Sequence, residues 1–139
     1  MIVLDTNVTS ELMRMSPSPI VVAWLRSQES QDLYSTAVSV AEIEYGIARL
    51  PNGRRKNALV EAAKDVFSTF PDHIFAFDLA AAVEYGDMVA ACEREGTPIN
   101  GFDAQIASIC RANRAVLATR NVKDFTGTGI TVINPWMES

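Results

Sequence analysis

The sequence predicts an α/β fold, one domain built on a mainly parallel five-stranded sheet. Three observations predict it. Short apolar runs bounded by polar or turn residues recur at five places along the chain. Stretches with helical periodicity fall between them, and parallel strands need crossovers long enough to hold a helix. The chain is 139 residues long with 48% apolar residues, enough to close one core without disulfides or a structural metal.

The elements follow in order. Ile2-Val3-Leu4 is apolar throughout and ends at Asp5, the mark of a strand covered on both faces. Ser16-Pro17-Ser18-Pro19 reads as a turn, and Asp32-Leu33-Tyr34-Ser35 as the second strand. Ser39-Val40-Ala41-Glu42 matches a capping box, with Ser39 capping a helix and Glu42 reaching back to it; Val40, Ile43, Ile47 and Leu50 form that helix's apolar stripe. After Pro51-Asn52-Gly53, Leu59, Val60, Ala63, Phe67 and Phe70 mark another helix, and His73 to Phe77 reads as the third strand. Leu79 to Arg94 is an Ala-rich helix stopped by Gly96 and Pro98. Phe102 to Ala112 forms a further helix with Ile106, Ile109 and Cys110 inward, before strands at Ala115 to Ala118 and Ile130 to Ile133, on either side of a Gly127-Thr128-Gly129 turn. The breaks are too short to be interdomain linkers, so residues 1–139 are read as one domain.

Charge narrows the function. Lys and Arg number 12 against 17 Asp and Glu, a net charge of −5, so broad electrostatic binding of nucleic acid is excluded unless local basic residues or a bound cation intervene. No run is long enough to span a membrane, and no basic segment precedes Asp5 as in a signal peptide, so a cytoplasmic protein is expected. Cys92 and Cys110 lie in helical segments and share no ligand spacing with the sole histidine, His73; they read as buried thiols.

Three carboxylates stand out. Asp5 closes the first strand, Glu42 opens the helix after the second, and Asp103 opens the helix before the fourth. Each has a structural explanation: Asp5 as an N-cap, Glu42 in its capping box, Asp103 at the positive end of a helix dipole. Those explanations bring all three to the sheet edge where strands end and helices begin, the edge at which such folds bind ligands. Carboxylates crowded there repel one another, and a divalent cation resolves the conflict. Oxygen donors without His or Cys favour Mg²⁺ or Mn²⁺ over Zn²⁺, and the chemistry that fits is metal-assisted phosphodiester hydrolysis. A Ser-His-Asp triad does not fit, because His73 precedes a strand and so falls at the opposite edge. For a fourth position the sequence offers either direct ligation by Asp124 or an Asn121 that holds a water. Glu44, two residues beyond Glu42, points to a different face.

The chain resembles the PIN-domain ribonucleases, in particular the VapC/FitB-like toxins of bacterial toxin–antitoxin pairs. The resemblance rests on Ile2 to Asn7 with Ser10-Glu11, Val40 to Gly46, Phe102 to Ala107, Ala118 to Phe125, and Asn134-Pro135-Trp136, in the family's order along nearly the whole chain. It implies a PIN-like α/β/α domain, usually a homodimer, that cleaves RNA with Mg²⁺ or Mn²⁺ held by the acids matching Asp5, Glu42 and Asp103. It also implies a cognate antitoxin, a small DNA-binding protein whose tail covers the cleft. Relatives often carry Asp where this chain has Asn121, so a second metal position is left to Asp124 or to Asn121.

Other polar residues have two readings each. Thr6 and Asn7 either orient Asp5 or a bound water, or serve as turn residues. Ser39 is read as a helix cap first and a phosphate contact second. Thr119 and Arg120 flank the acids, and Arg120 is read as a structural ion pair ahead of a phosphate contact. Arg54-Arg55-Lys56 reads as a solvated face. Trp24, Tyr34, Tyr45, Phe67, Phe70, Tyr85 and Trp136 are read as core or dimer packing rather than base-stacking platforms. Leu12, Met13 and Met15 are read as ordinary packing ahead of an antitoxin-binding ridge. Two rival functions remain: a catalytically inactive protein-binding module of the same fold, and a phosphatase with an Asp nucleophile. The phosphatase lacks the second Asp of an Asp-x-Asp pair, because that position is Asn7.

Overall fold

A computed structural model describes residues 1–137. Five strands, β1 (Ile2–Leu4), β2 (Leu33–Thr36), β3 (Ile74–Phe75), β4 (Val116–Ala118) and β5 (Val132–Ile133), form a single sheet in the order β3-β2-β1-β4-β5. Every pairing is parallel, so the sheet is wholly rather than mainly parallel. Six helices join them: α1 (Thr6–Leu12), α2 (Pro19–Arg26), α3 (Ala37–Ala48), α4 (Arg54–Ser68), α5 (Leu79–Arg94) and α6 (Gly101–Asn113).

Strand alternation separates the core into two layers. Val3 and Leu117 face α5 and α6, where Met88, Cys92, Ile106 and Ile109 are buried. Leu4 and Ala118 face the other way, onto Val8 of α1, Val21 and Trp24 of α2, and Phe70. A third cluster, Ile43, Ile47 and Ala63, joins α3 to α4 and takes up Met13 at its margin, whereas Met15 is fully exposed.

Several boundaries differ from the sequence reading. Asp32 ends a 3-10 turn and β2 starts at Leu33. The third strand keeps only Ile74 and Phe75, opposite Ser35 and Thr36, because β2 turns into α3 at Ala37 and leaves Ala76 and Phe77 no partner. Pro19 is the first residue of α2, where a proline's missing amide costs nothing. The helices at 6–12 and 19–26 had no assignment from periodicity. The limits of α5 match the sequence reading, and Gly96 takes the left-handed backbone at φ 74° that ends it.

His73 lies at the end of the sheet away from the strand C-termini, stacked on Tyr34 at 4.3 Å with Nδ1 3.0 Å from the Leu33 carbonyl oxygen. Cys92 and Cys110 are free and buried, and burial pushes the Cys110 thiol up to about 12. No helix among the described residues is long and apolar enough to cross a membrane.

Candidate active site

Parallel pairing sets the C-terminal ends of all the strands along one edge, and α1, α3 and α6 begin there. Asp5 follows β1 directly: its amide donates to the Ala118 carbonyl at 2.9 Å, and its Oδ1 accepts from the Thr6 amide at 2.8 Å, so it caps α1. Asn100 and Asp103 exchange bonds at the start of α6. The Asp103 amide donates to Asn100 Oδ1 at 2.9 Å, and Asn100 Nδ2 donates to Asp103 Oδ2 at 2.7 Å. The cap read from the sequence for Asp5 and the helix-start position read for Asp103 hold, with Asn100 as the cap of α6, and they aim both carboxylates at the same edge.

For α3 the cap differs. Thr36, the last residue of β2, accepts from the Ser39 amide at 3.0 Å and is the N-cap. Ser39 is therefore buried inside the first turn, and Glu42 lies in the second turn instead of opening the helix. Freed from capping, Glu42 Oε1 accepts from the Thr6 hydroxyl at 2.7 Å. That hydroxyl has one proton, so at its 2.9 Å contact with Ser39 the Ser39 hydroxyl donates.

Asp5, Thr6, Glu42 and Asp103 line one cavity of about 500 Å³. Asp5, Glu42, Asp103 and Glu11 supply its acids, Thr6, Asn7, Ser10 and Asn121 its neutral polar groups, and Arg14, Arg120 and Trp136 the rest of its wall. A connected set of bonds holds Asp5 in place. The Thr119 hydroxyl donates to Asp5 Oδ2 at 2.7 Å and accepts from Asn7 Nδ2 at 3.0 Å and from the Asn121 amide at 3.1 Å. Asn7 Oδ1 accepts from the Arg120 amide at 3.3 Å. Thr6 and Asn7 thus brace Glu42 and Asp5 respectively.

Burial, with Asp5 only 4% exposed, raises its pKa; the charges of Glu42 and Asp124 push the same way, while the bonds from Thr119 and Thr6 pull it back. Burial and the Asp5 charge raise Asp103, and its bond with Asn100 opposes them. Burial makes both carboxylates resist ionisation and neighbouring carboxylate charges add to it, the situation a cation relieves. Among the described residues no three His, Cys, Asp or Glu side chains converge as a ready-made cage. The donors suit a hard dication that keeps several waters and takes one or two carboxylates, as Mg²⁺ does.

Of the two candidates for a fourth position, Asn121 lines the cavity. Asp124 is exposed on the 3-10 turn Val122–Phe125, outside the cavity wall, though near enough for its charge to act on Asp5 and Asp103. Glu44 is exposed and away from the cavity. Arg120 forms no ion pair with a carboxylate among the described residues; its guanidinium lies over the Trp136 ring, 5.0 Å from the centroid. Trp136 packs against the layer of Leu4 and Ala118 and also faces the cavity, and Tyr45 is 66% exposed and packs in no core. Sequence reasoning assigned no role to Ser10, Glu11 or Arg14. The signal was present as a polar stripe, Asn7-Ser10-Glu11-Arg14, at helical spacing directly after Asp5.

A parallel α/β sheet whose C-terminal edge holds a carboxylate-lined cleft braced by hydroxyls defines the class of protein. The chain belongs to the PIN-domain family, whose model matches residues 2–128. It is 36% identical to VapC ribonuclease Y4jK of Sinorhizobium fredii, over 98% of each chain. It is 37% identical to Toxin FitB of Neisseria gonorrhoeae, over 98% of this chain and 99% of that one. Among solved structures, FitAB bound to an IR36 DNA fragment superposes with a TM-score of 0.92 at 36% identity, covering 100% of this chain and 98% of the other.

Proposed function

We propose that the protein is a Mg²⁺- or Mn²⁺-dependent endoribonuclease that acts as the toxin of a toxin–antitoxin pair. The carrying observation is that Asp5, Glu42 and Asp103, from three separate elements, face one cavity. The names of the relatives agree with the reading, one being a ribonuclease and another a toxin. The FitAB complex on DNA supports a small DNA-binding antitoxin as partner.

A dication held by Asp5 and Asp103 would supply Lewis-acid polarisation of the scissile phosphoryl group and would lower the pKa of an attacking water. The chain's own residues do the rest. Thr119 and Asn7 fix the Asp5 carboxylate from one side and the Thr6 amide from the other. The Thr6 bond holds Glu42 by Oε1, which leaves Oε2 to coordinate or to accept the water's proton. Ser39 is the donor that fixes Thr6; it is fully buried behind the cavity wall. Arg14 and Arg120 bring positive charge to an otherwise acidic wall, where the phosphodiester has to approach.

The phosphatase reading fails on Asn7. It stands where a general acid is required, and both ends of its amide are committed, Nδ2 to Thr119 and Oδ1 to the Arg120 amide. The test of the main reading is cleavage of a panel of structured RNAs with Mg²⁺, with Mn²⁺ and with chelator, alongside Asp5→Asn and Asp103→Asn. Cleavage is expected with either metal only, and from the wild type only. Cleavage that survives chelation or either substitution overturns the metal mechanism. Growth arrest on induction in a host without antitoxin, and recovery with the product of the neighbouring reading frame, tests the toxin role. The mass of the purified protein in solution tests the homodimer.

A further inference from the structure

We propose that Trp136 presents Arg120 as a fixed phosphate clamp for single-stranded RNA, gripping a phosphate next to the one that is cut; this rests on the ribonuclease reading above. Two guanidinium groups line the cavity, and they differ in what holds them. Arg14 Nη1 lies 3.3 Å from both oxygens of the Glu11 carboxylate, so its charge already has a partner. Arg120 instead rests on the Trp136 ring, 5.0 Å from Cζ to the centroid, inside the range of about 6 Å for attraction between a cation and an aromatic face. An aromatic face orients a guanidinium without using its N–H donors, which stay free for the bidentate contact that phosphate oxygens offer.

Both ends of this arginine are tied. Its amide donates to Asn7 Oδ1, Asn7 Nδ2 donates to the Thr119 hydroxyl, and that hydroxyl donates to Asp5 Oδ2. The backbone that carries the clamp is therefore indexed to the carboxylate at the centre of the acid cluster. At the other end, Trp136 is seated against the core layer of Leu4 and Ala118, and its amide donates to Asn134 Oδ1 at 3.0 Å. The exposed side of the guanidinium adds a plane on which an unpaired base can stack, which is why a single strand fits better than a duplex. Trp136 is a positioning residue in this account and touches no substrate.

The test measures binding of a short single-stranded RNA by fluorescence anisotropy across a salt series in an Asp5→Asn background, which leaves the RNA intact and removes one acidic charge. Adding Arg120→Ala is expected to weaken binding roughly tenfold and to reduce the salt slope by about 0.7, the share of one phosphate contact. Trp136→Ala is expected to reproduce both effects, Trp136→Phe to restore them, and Arg120→Lys to keep the slope but bind less tightly. With Asp5 intact, Arg120→Ala is expected to raise KM about as much and leave kcat nearly unchanged. Thermal unfolding of each variant separates core packing from clamping: a Trp136→Ala protein with lowered Tm but an unchanged slope overturns the inference. So does an Arg120→Ala protein that binds and cleaves like its parent, and in that case the ribonuclease reading stands. A wild type that cleaves no RNA overturns both.

Discussion

The Thr6 hydroxyl donates to Glu42 Oε1 at 2.7 Å and so joins the first turn of α1 to the second turn of α3 across the active edge. Asp5 and Glu42 belong to different elements, and this bond sets where one lies relative to the other. Thr6→Val keeps the shape and removes the donor. It is expected to lower RNA cleavage by about 10- to 100-fold, the usual effect of deleting a group that orients a metal-binding carboxylate, and to lower stability by only about 1 kcal/mol. Thr6→Ser is expected to retain most activity. Single-turnover cleavage and urea unfolding of the three proteins check it, and a Thr6→Val protein with wild-type cleavage refutes it.

A second prediction concerns pH. Asp5 and Asp103 both have folded-state pKa values raised above the ordinary 3.8 of a free Asp carboxyl, mainly by burial. A carboxyl that binds its proton more tightly when folded destabilises the fold at neutral pH, and the penalty is lifted as pH falls through the raised value. Without metal, Tm is therefore expected to rise as the solution is taken from neutral to mildly acidic, before any acid unfolding. Asp103→Asn is expected to flatten that rise. Added Mg²⁺ is expected to raise Tm most at neutral pH and less in acid, where protons compete for the same oxygens. Thr119→Val removes a bond that lowers the Asp5 pKa, so it shifts the acid limb of cleavage to higher pH. Calorimetry in chelator and in Mg²⁺ measures the first effects, and a pH–rate profile the last.

What the sequence made legible, and what it hid, has physical causes. A parallel sheet places every strand's C-terminal end on one edge, so acids just after strands or near the starts of the crossover helices could be collected into one site without coordinates. The cap of α3 was misread because Thr36 and Ser39 are both good caps three residues apart. Nothing local decides between them; the choice depends on β2 running to Thr36 beside Phe75. The helix at 6–12 was signalled only by its Asp5 cap and not by periodicity, because it is short and buries Thr9 and Glu11 beside Val8, which breaks the apolar stripe. Pro19 looked like a turn and is a helix start. Arg120 was expected to meet a carboxylate, yet the partner it found, Trp136, comes from the far end of the chain, a pairing that no local pattern encodes.

Glu11 carries the last prediction. It is a carboxylate only 6% exposed, and its Oε2 accepts from the Ser18 amide at 3.0 Å, closing the turn between α1 and α2. Its other partner, Arg14, is 67% exposed, so solvent screens that ion pair and it contributes well under about 1 kcal/mol. The half-buried bond from the Ser18 amide is the larger contribution. Glu11→Gln keeps an acceptor for Ser18 and loses only the ion pair, so it is expected to cost less than about 1 kcal/mol. Glu11→Ala leaves the Ser18 amide without its acceptor beside the cavity and is expected to cost about 1–3 kcal/mol. Urea unfolding of both variants at neutral pH discriminates the two contributions. Equal losses would mean that the ion pair, and not the turn-closing bond, holds this wall of the active cavity in place.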